Sequence, residues 1–257
     1  MIHPTAIVDP KAEIGEGVDI GPYSIIQEDV VMGDGTRVGP HVFIGRGTRV
    51  GKECQIFQFA SIGEGPQALI YHGEKTSLLI GDHNVIRECV TLNRGTVQGG
   101  GKTVIGNGNL FMAYSHVGHD CTIGNHVILA NSAALAGHIL LEDHSTIGGL
   151  SAVHQFCRVG THAFVSGMTG IAQDIPPYML ASGNRARLFG LNTVGLKRFK
   201  FSETAVKALK KAYRILFRSS LTLEKALSQI RDDEISTVPE VQHLLQFIQE
   251  TKRGICR

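Results

Sequence analysis

Residues 38–63, VGPHVFIGRGTRVGKECQIFQFASIG, put an aliphatic side chain at every sixth position: Val38, Ile44, Val50, Ile56 and Ile62. The series reaches back through Ile2, Val8, Ile14, Ile20, Ile26 and Met32, and keeps its phase at Ile80, Ile86 and Leu92. After a one-residue shift it resumes at Ile105, Phe111, Val117, Ile123, Leu129, Leu135, Leu141, Ile147, Val153, Val159, Val165 and Ile171. Such a period, sustained over two-thirds of a chain, marks a hexapeptide-repeat solenoid.

Four residues after each aliphatic one stands a small or β-branched residue, as at Ala6, Ala12, Val18, Ser24, Val30, Thr36, Val42, Thr48, Cys54 and Ala60. Positions two apart on a strand share a face, so this residue and the next aliphatic both point inward. Gly15, Gly21, Gly33, Gly39, Gly45 and Gly51 directly follow the aliphatic residue, where a corner is expected to need backbone freedom. Short strand, sharp corner, short strand predicts a triangular parallel β-helix with about eighteen residues per coil. Periodicity leaves its handedness open.

The chain has 257 residues, of which 42% are hydrophobic, with 31 Gly and no Trp. That is enough to form a core along a solenoid axis. No run approaches the ~18 apolar residues of a membrane span, and Met1-Ile2 enters the first hexad with no signal peptide ahead of it, so a cytoplasmic location is expected. Cys54, Cys121 and Cys157 fall on inward small positions and read as core residues, not disulfides or metal ligands.

Two stretches break the hexads, at about 66–79 and 94–103. They are expected to leave the solenoid as loops, with Gly99 to Gly101 forming a flexible tip. Beyond Pro176-Pro177 the spacing turns helical. Ser202 can cap a helix with Val206, Leu209, Tyr213 and Leu216 on one face, and Thr237 with Glu240 reads as a capping box. The division is therefore a β-helix over 1–186 and a C-terminal helical domain over 187–257. Residues 197–218 hold eight Lys/Arg against one acid, Glu203, whereas residues 1–196 hold twelve basic and sixteen acidic residues. Such a strip can attract an acidic partner or a phosphate, while its sparse aromatics argue against nucleic acid.

In coils of eighteen residues, positions eighteen apart stack. His126, His144 and His162 then form one outward column, His119 stacks on Gly137, and Asp120 on His138. His116 points outward from the strand just before. A histidine in such a column is as readily structural as chemical. For His119 the reading favours chemistry, because an adjacent carboxylate can orient its ring and the Gly137 N–H can meet an oxyanion.

The segments His116-Val-Gly-His119-Asp120-Cys121, Leu135-Ala-Gly-His138, Ala152-Val-His-Gln-Phe-Cys157, Gln173-Asp-Ile-Pro-Pro-Tyr178, Gly195-Leu-Lys-Arg198 and Arg94-Gly-Thr-Val-Gln-Gly-Gly-Gly101 closely resemble the UDP-N-acetylglucosamine O-acyltransferase family of lipid A biosynthesis. The resemblance spans nearly the whole chain. It implies a left-handed helix, a homotrimer with sites between subunits, and transfer of an (R)-3-hydroxyacyl chain from the phosphopantetheine thioester of acyl carrier protein to the sugar 3-hydroxyl, with no cofactor or metal. It further implies His119 as general base, Asp120 as its orienter and Gly137 N–H as oxyanion donor. His116, His138, His154 and Gln155 would line the site. Gly167 and Met168 would border the acyl groove, and Arg185, Asn192 and Arg198 the nucleotide sugar.

Where many members of that family carry Asp, Lys, Glu and a second Arg, this chain has Ala68, Ile70, Val194 and Phe199. All four fall where the acceptor is expected, which keeps a 3-amino analogue of the sugar as an alternative acceptor. Among rival readings, the sister N-acyltransferase carries a domain ahead of its hexads. A zinc carbonic anhydrase of this fold pairs histidines five apart, and none here are so spaced. A non-catalytic binding trimer would not need the His119-Asp120 pair.

Overall fold

The computed structural model describes residues 1–257. From Ile7 to Ile171 the chain winds through strands that are mostly two residues long, most of them ending on a buried aliphatic such as Ile44, Leu129 or Val165. Until the last coil, each strand pairs in parallel with the one three strands later, within three sheets of nine, eight and ten strands. Identical register stacks Ile26, Ile44, Ile62, Leu92, Val117, Leu135, Val153 and Ile171 into one inward column. The result is a left-handed parallel β-helix. Its interior forms, together with the helices, a cluster of 57 buried residues. Cys54, Cys121 and Cys157 lie within it as free thiols, and burial pushes the Cys121 thiol up to about 12.

The corners are not built as the glycine pattern suggests. Left-handed backbone occurs three residues after the aliphatic one, at non-glycine residues such as Tyr23, His41, Asp120 and His138. The glycines that directly follow the aliphatic residue, apart from Gly63, keep ordinary φ. They are needed for closeness: a Cβ on Gly21 would lie 2.7 Å from the carbonyl carbon of Gly39, and one on Gly33 equally near that of Gly51. Coil-to-coil contact, not conformational freedom, selects glycine there.

Successive sheets meet at three corners. The first, between the nine- and eight-stranded sheets, carries residues 118–121, 136–139 and 154–157. The second carries 124–127, 142–145 and 160–163, and the third 130–133, 148–151 and 166–169. Both insertions leave from the first corner. They are shorter than the sequence suggests, since strands Ser77–Ile80 and Lys102–Ile105 absorb their last residues. The ladder closes across each gap, with Leu78 opposite Thr48 and Thr103 opposite Leu78.

The sheet also outlasts residue 186. Strands Met179–Ser182 and Arg187–Leu191 form an antiparallel hairpin at the end of the ten-stranded sheet, so the helical part begins with α1 (Thr193–Arg198). It continues through α2 (Glu203–Phe217), α3 (Leu223–Arg231) and α4 (Pro239–Gln249). Ser202 caps α2 as expected, its side chain accepting the Ala205 N–H, and α2 buries Ala205, Ala208, Leu209, Ala212 and Leu216. The Thr237 to Glu240 capping box is absent. Val238 precedes the helix and Pro239 opens it, because proline presets φ and has no N–H to satisfy. Thr237 instead donates its hydroxyl to the Glu234 carbonyl at 3.0 Å.

Candidate active site

His119 and Asp120 lie on the first corner. Asp120 takes the left-handed position with φ 60°, a conformation that Asp tolerates better than most residues, and its N–H donates to Thr103 Oγ1 at 2.8 Å. Its carboxylate is gripped on both oxygens: Oδ1 accepts the Thr96 N–H at 2.8 Å, and Oδ2 accepts the Thr96 hydroxyl at 2.7 Å. The same Oδ2 faces His119 Nδ1 at 2.7 Å. The Asp120 side chain is fully shielded from solvent and that of His119 is 15% exposed. A carboxylate facing Nδ1 selects the tautomer with its proton there, which leaves the Nε2 lone pair available.

Gly137 sits one coil on. A Cβ at this position would lie 2.5 Å from His119 Cε1 and 2.7 Å from Nε2, so only glycine leaves room for the ring. The Gly137 N–H donates to no group of the chain. The neighbouring His138 meets His119 edge-on, with ring centroids 5.1 Å apart, and its other side stacks on Phe156 at 4.5 Å. His138 Nε2 is 3.7 Å from the same Asp120 Oδ2. Burial holds the His138 ring below the ordinary imidazole pKa, outweighing the pull of Asp120. One nitrogen or oxygen from each of His119, Asp120 and His138 falls within 4.8 Å of the others. With both Asp120 oxygens already accepting from Thr96, the cluster has the form of an oriented His119–Asp120 pair with His138 alongside it.

His116 stands on the outer face of the strand that leads to this corner, its Nδ1 2.7 Å from Thr91 Oγ1, and burial lowers its pKa too. His154 and Gln155 occupy the same corner one coil beyond Ala136 and Gly137, both exposed; His154 Nδ1 lies 3.2 Å from Arg253 Nη2. The remaining candidates lie elsewhere on the chain. Gly167 and Met168 are exposed on the third corner. Helix α1 lies against the second corner, where Phe199 packs on His144 and His162 at 4.9 and 4.6 Å. The His126, His144 and His162 rings stack there at 4.9 and 4.7 Å, as the spacing predicts. Asn192 spends its amide on the fold, Oδ1 accepting the Gly195 N–H and Nδ2 donating to the His162 carbonyl. Arg198 is exposed at the end of α1, and Arg185 is exposed in the hairpin turn. Ala68 and Ile70 lie in the first insertion, at the catalytic corner.

Sequence spacing did not single out Thr96, Thr103, Phe156 or Arg94. Arg94 is buried and donates to the Gly63 carbonyl at 2.7 Å and to Tyr71 Oη at 2.9 Å, tying the first insertion to the second. The arginine of an Arg-Gly-Thr run at a loop root was the available signal.

Comparison with known proteins bears directly on this site. A family model described as "Udp N-acetylglucosamine O-acyltransferase; Domain 2" matches residues 174–256. A second, "Bacterial transferase hexapeptide (six repeats)", matches residues 11–46 and 102–137. The "Acyl-(acyl-carrier-protein)--UDP-N-acetylglucosamine O-acyltransferase" of Anaeromyxobacter dehalogenans is 54% identical over 256 residues, covering 100% of this chain and 99% of that protein. The enzyme of the same name from Janthinobacterium sp. is 52% identical over 260 residues, with the same coverage. Among solved structures, the UDP-N-acetylglucosamine O-acyltransferase of Moraxella catarrhalis superposes with a TM-score of 0.96 at 45% identity, over 100% of this chain and 99% of its own.

Proposed function

Because the chain belongs to the UDP-N-acetylglucosamine O-acyltransferase family, we propose that it moves an (R)-3-hydroxyacyl chain from acyl carrier protein to the 3-position of UDP-N-acetylglucosamine, the first step of lipid A biosynthesis. One observation carries the assignment of roles. The Asp120 carboxylate, sealed from solvent, faces His119 Nδ1 at 2.7 Å, and the Gly137 N–H stands undonated beside the ring. In the proposed reaction the acceptor hydroxyl gives its proton to His119 Nε2 while its oxygen bonds to the thioester carbonyl carbon. The carbonyl oxygen becomes an oxyanion opposite the Gly137 N–H. Collapse restores the carbonyl and breaks the C–S bond, and the departing thiolate takes the proton back from His119. Asp120 stays ionised and holds the ring.

Homotrimeric assembly is part of the same proposal, and where the residues lie supports it. In one chain the base is on the first corner, Gly167 and Met168 on the third, and Arg198 at the second, so a single solenoid does not gather them. Cyclic packing of three copies sets the corners of one chain against those of the next. This reading places the reaction in the cytoplasm; no helix is long and apolar enough to cross a membrane.

The test is product analysis by mass spectrometry, using purified protein, 3-hydroxyacyl carrier-protein thioesters and UDP-N-acetylglucosamine. His119→Ala is expected to cut turnover by ~10²–10⁴ while thermal melting stays near wild type. Retained turnover above about a tenth of wild type removes His119 from the role of base. The 3-amino sugar is the alternative acceptor, because Ala68, Ile70, Val194 and Phe199 replace the polar residues that many members of the family carry where the acceptor is expected. An alkali-stable amide product in place of an ester decides for it.

A further inference from the structure

The second insertion is closed over the catalytic pair. Thr96 has no exposed surface, and its hydroxyl and N–H occupy the two oxygens of Asp120. The turn that follows is drawn tight, with the Gly99 N–H donating to Thr96 Oγ1 at 3.1 Å and the Gly101 N–H to the Thr96 carbonyl at 2.7 Å. A Cβ on Gly99 would fall on the Asp120 carboxylate itself. Gly99 is therefore pressed onto a buried anion, whereas Gly100 and Gly101 stand in open space at the tip. At its root the buried Arg94 holds the Gly63 carbonyl and Tyr71.

Resting on the dyad assigned above, we propose that Thr96 is the positioning residue of the pair: its two donors fix the plane of the Asp120 carboxylate, and its hydroxyl shares the charge of Oδ2 with His119. Geometry gives the reason. Oδ2 faces three groups, the Thr96 hydroxyl at 2.7 Å, His119 Nδ1 at 2.7 Å and His138 Nε2 at 3.7 Å. Two donors from one residue, one on each oxygen, stop the carboxylate rotating towards His138. The hydroxyl also draws charge from the oxygen that His119 uses, which tempers how strongly an imidazolium is stabilised. The titratable groups around His119 are Asp120, His116 on the preceding strand and His138 on the next coil.

Thr96→Val keeps the shape and the N–H but removes the hydroxyl, whereas Thr96→Ser restores it. The valine variant is expected to lose roughly 10- to 100-fold in kcat, as for other small misplacements of a catalytic group, with KM for both substrates little changed. With Oδ2 relieved of the Thr96 proton, His119 is held more strongly in its charged form, so the acid limb of kcat/KM moves to higher pH. Thr96→Ser should return both kcat and the limb close to wild type. Gly99→Ala, which forces the cap off the carboxylate, should reproduce the kcat loss at near-native melting temperature. A valine variant with wild-type kcat and an unmoved limb overturns the proposal and leaves the dyad standing. A loss in valine that serine fails to rescue, or one that merely follows a lowered folded fraction with the limb unmoved, overturns it as well. Wild-type protein that transfers no acyl chain from any carrier-protein donor overturns the functional reading itself.

Discussion

The backbone of Gly137 and the ring of His119 are in contact across one coil boundary: a Cβ added to the glycine would lie 2.5 Å from Cε1 and 2.7 Å from Nε2. Gly137 keeps ordinary φ, so alanine meets no backbone penalty there. Gly137→Ala is thus a steric probe of the site, with the N–H retained. It should swing the imidazole off Asp120 and crowd the oxyanion position, lowering kcat by about 10² or more while the melting temperature moves little. A wild-type kcat would show that the close fit of the His119 ring against residue 137 does not matter.

Acid should loosen the second corner. Burial, reinforced by the neighbouring His144, lowers the His162 pKa to about 4, with only Asp143 opposing. The ring lies between His144 and Tyr178, with Phe199 and Phe201 against its edge. Because the folded value is depressed, the unfolded chain binds the extra proton first. The stabilisation is complete above the ordinary value of about 6.5 and is lost as pH falls towards 4. Urea midpoints measured between pH 7.5 and 4.5 should drop, and His162→Phe, which keeps the stack but cannot titrate, should flatten the drop. An equal decline in both proteins would place the effect elsewhere.

Chain-length choice should turn on the third corner. Gly167 is exposed, and a Cβ there meets only Gly149, at 3.1 Å from its carbonyl oxygen, so nothing in the chain fills the space above it. If the acyl tail passes there, the open position accepts a donor of the fourteen-carbon class, and Gly167→Met shortens the preferred chain. At about 0.8 kcal/mol per buried methylene, a donor four carbons shorter forfeits up to ~3 kcal/mol. The ratio of kcat/KM for ten- and fourteen-carbon donors checks it. A wild-type preference for ten carbons refutes the open groove, with Met168, 74% exposed, as the side chain then occupying it.

Docking of acyl carrier protein should depend on salt and on α2. Two lysines of the basic strip are already paired, Lys207 with Glu203 at 3.3 Å and Lys211 with Asp233 at 2.7 Å. Lys210 has no carboxylate partner. KM for the carrier protein should therefore rise with ionic strength, and Lys210→Glu should raise it more than Lys207→Glu or Lys211→Glu. Steady-state kinetics at low and moderate salt measure this, and a KM indifferent to both salt and charge reversal rules out α2 as the docking site.

Much of this was legible in the sequence because a solenoid converts spacing directly into position. Eighteen residues separate His119 from Gly137 and Asp120 from His138, and the structure sets each pair in contact. Legibility fails where the period fails. Thr96 reaches Asp120 from an insertion, at a separation of 24 residues that no coil repeat predicts. The sixfold glycine rhythm misleads for a related reason: periodicity shows that a side chain is missing but not whether a turn or a neighbouring backbone excludes it. The end of the sheet at Leu191, beyond residue 186, was hidden because the last pairing is antiparallel and obeys no repeat.

The close approach of successive backbones at the glycine corners has a mechanical consequence for catalysis. Base and oxyanion donor sit on adjacent rungs whose separation, the ~4.8 Å between strands, belongs to the main-chain ladder and not to any side chain. The distance between them is then preorganised by the same hydrogen bonds that make the coil. An insertion or deletion between residues 119 and 137 could not adjust it by fractions of an ångström: held within the coil it would turn one of the two groups inward, and looped out, as the two insertions are, it would leave the rung spacing unchanged. Fine adjustment is left to what the ladder does not hold, the two segments that leave the first corner.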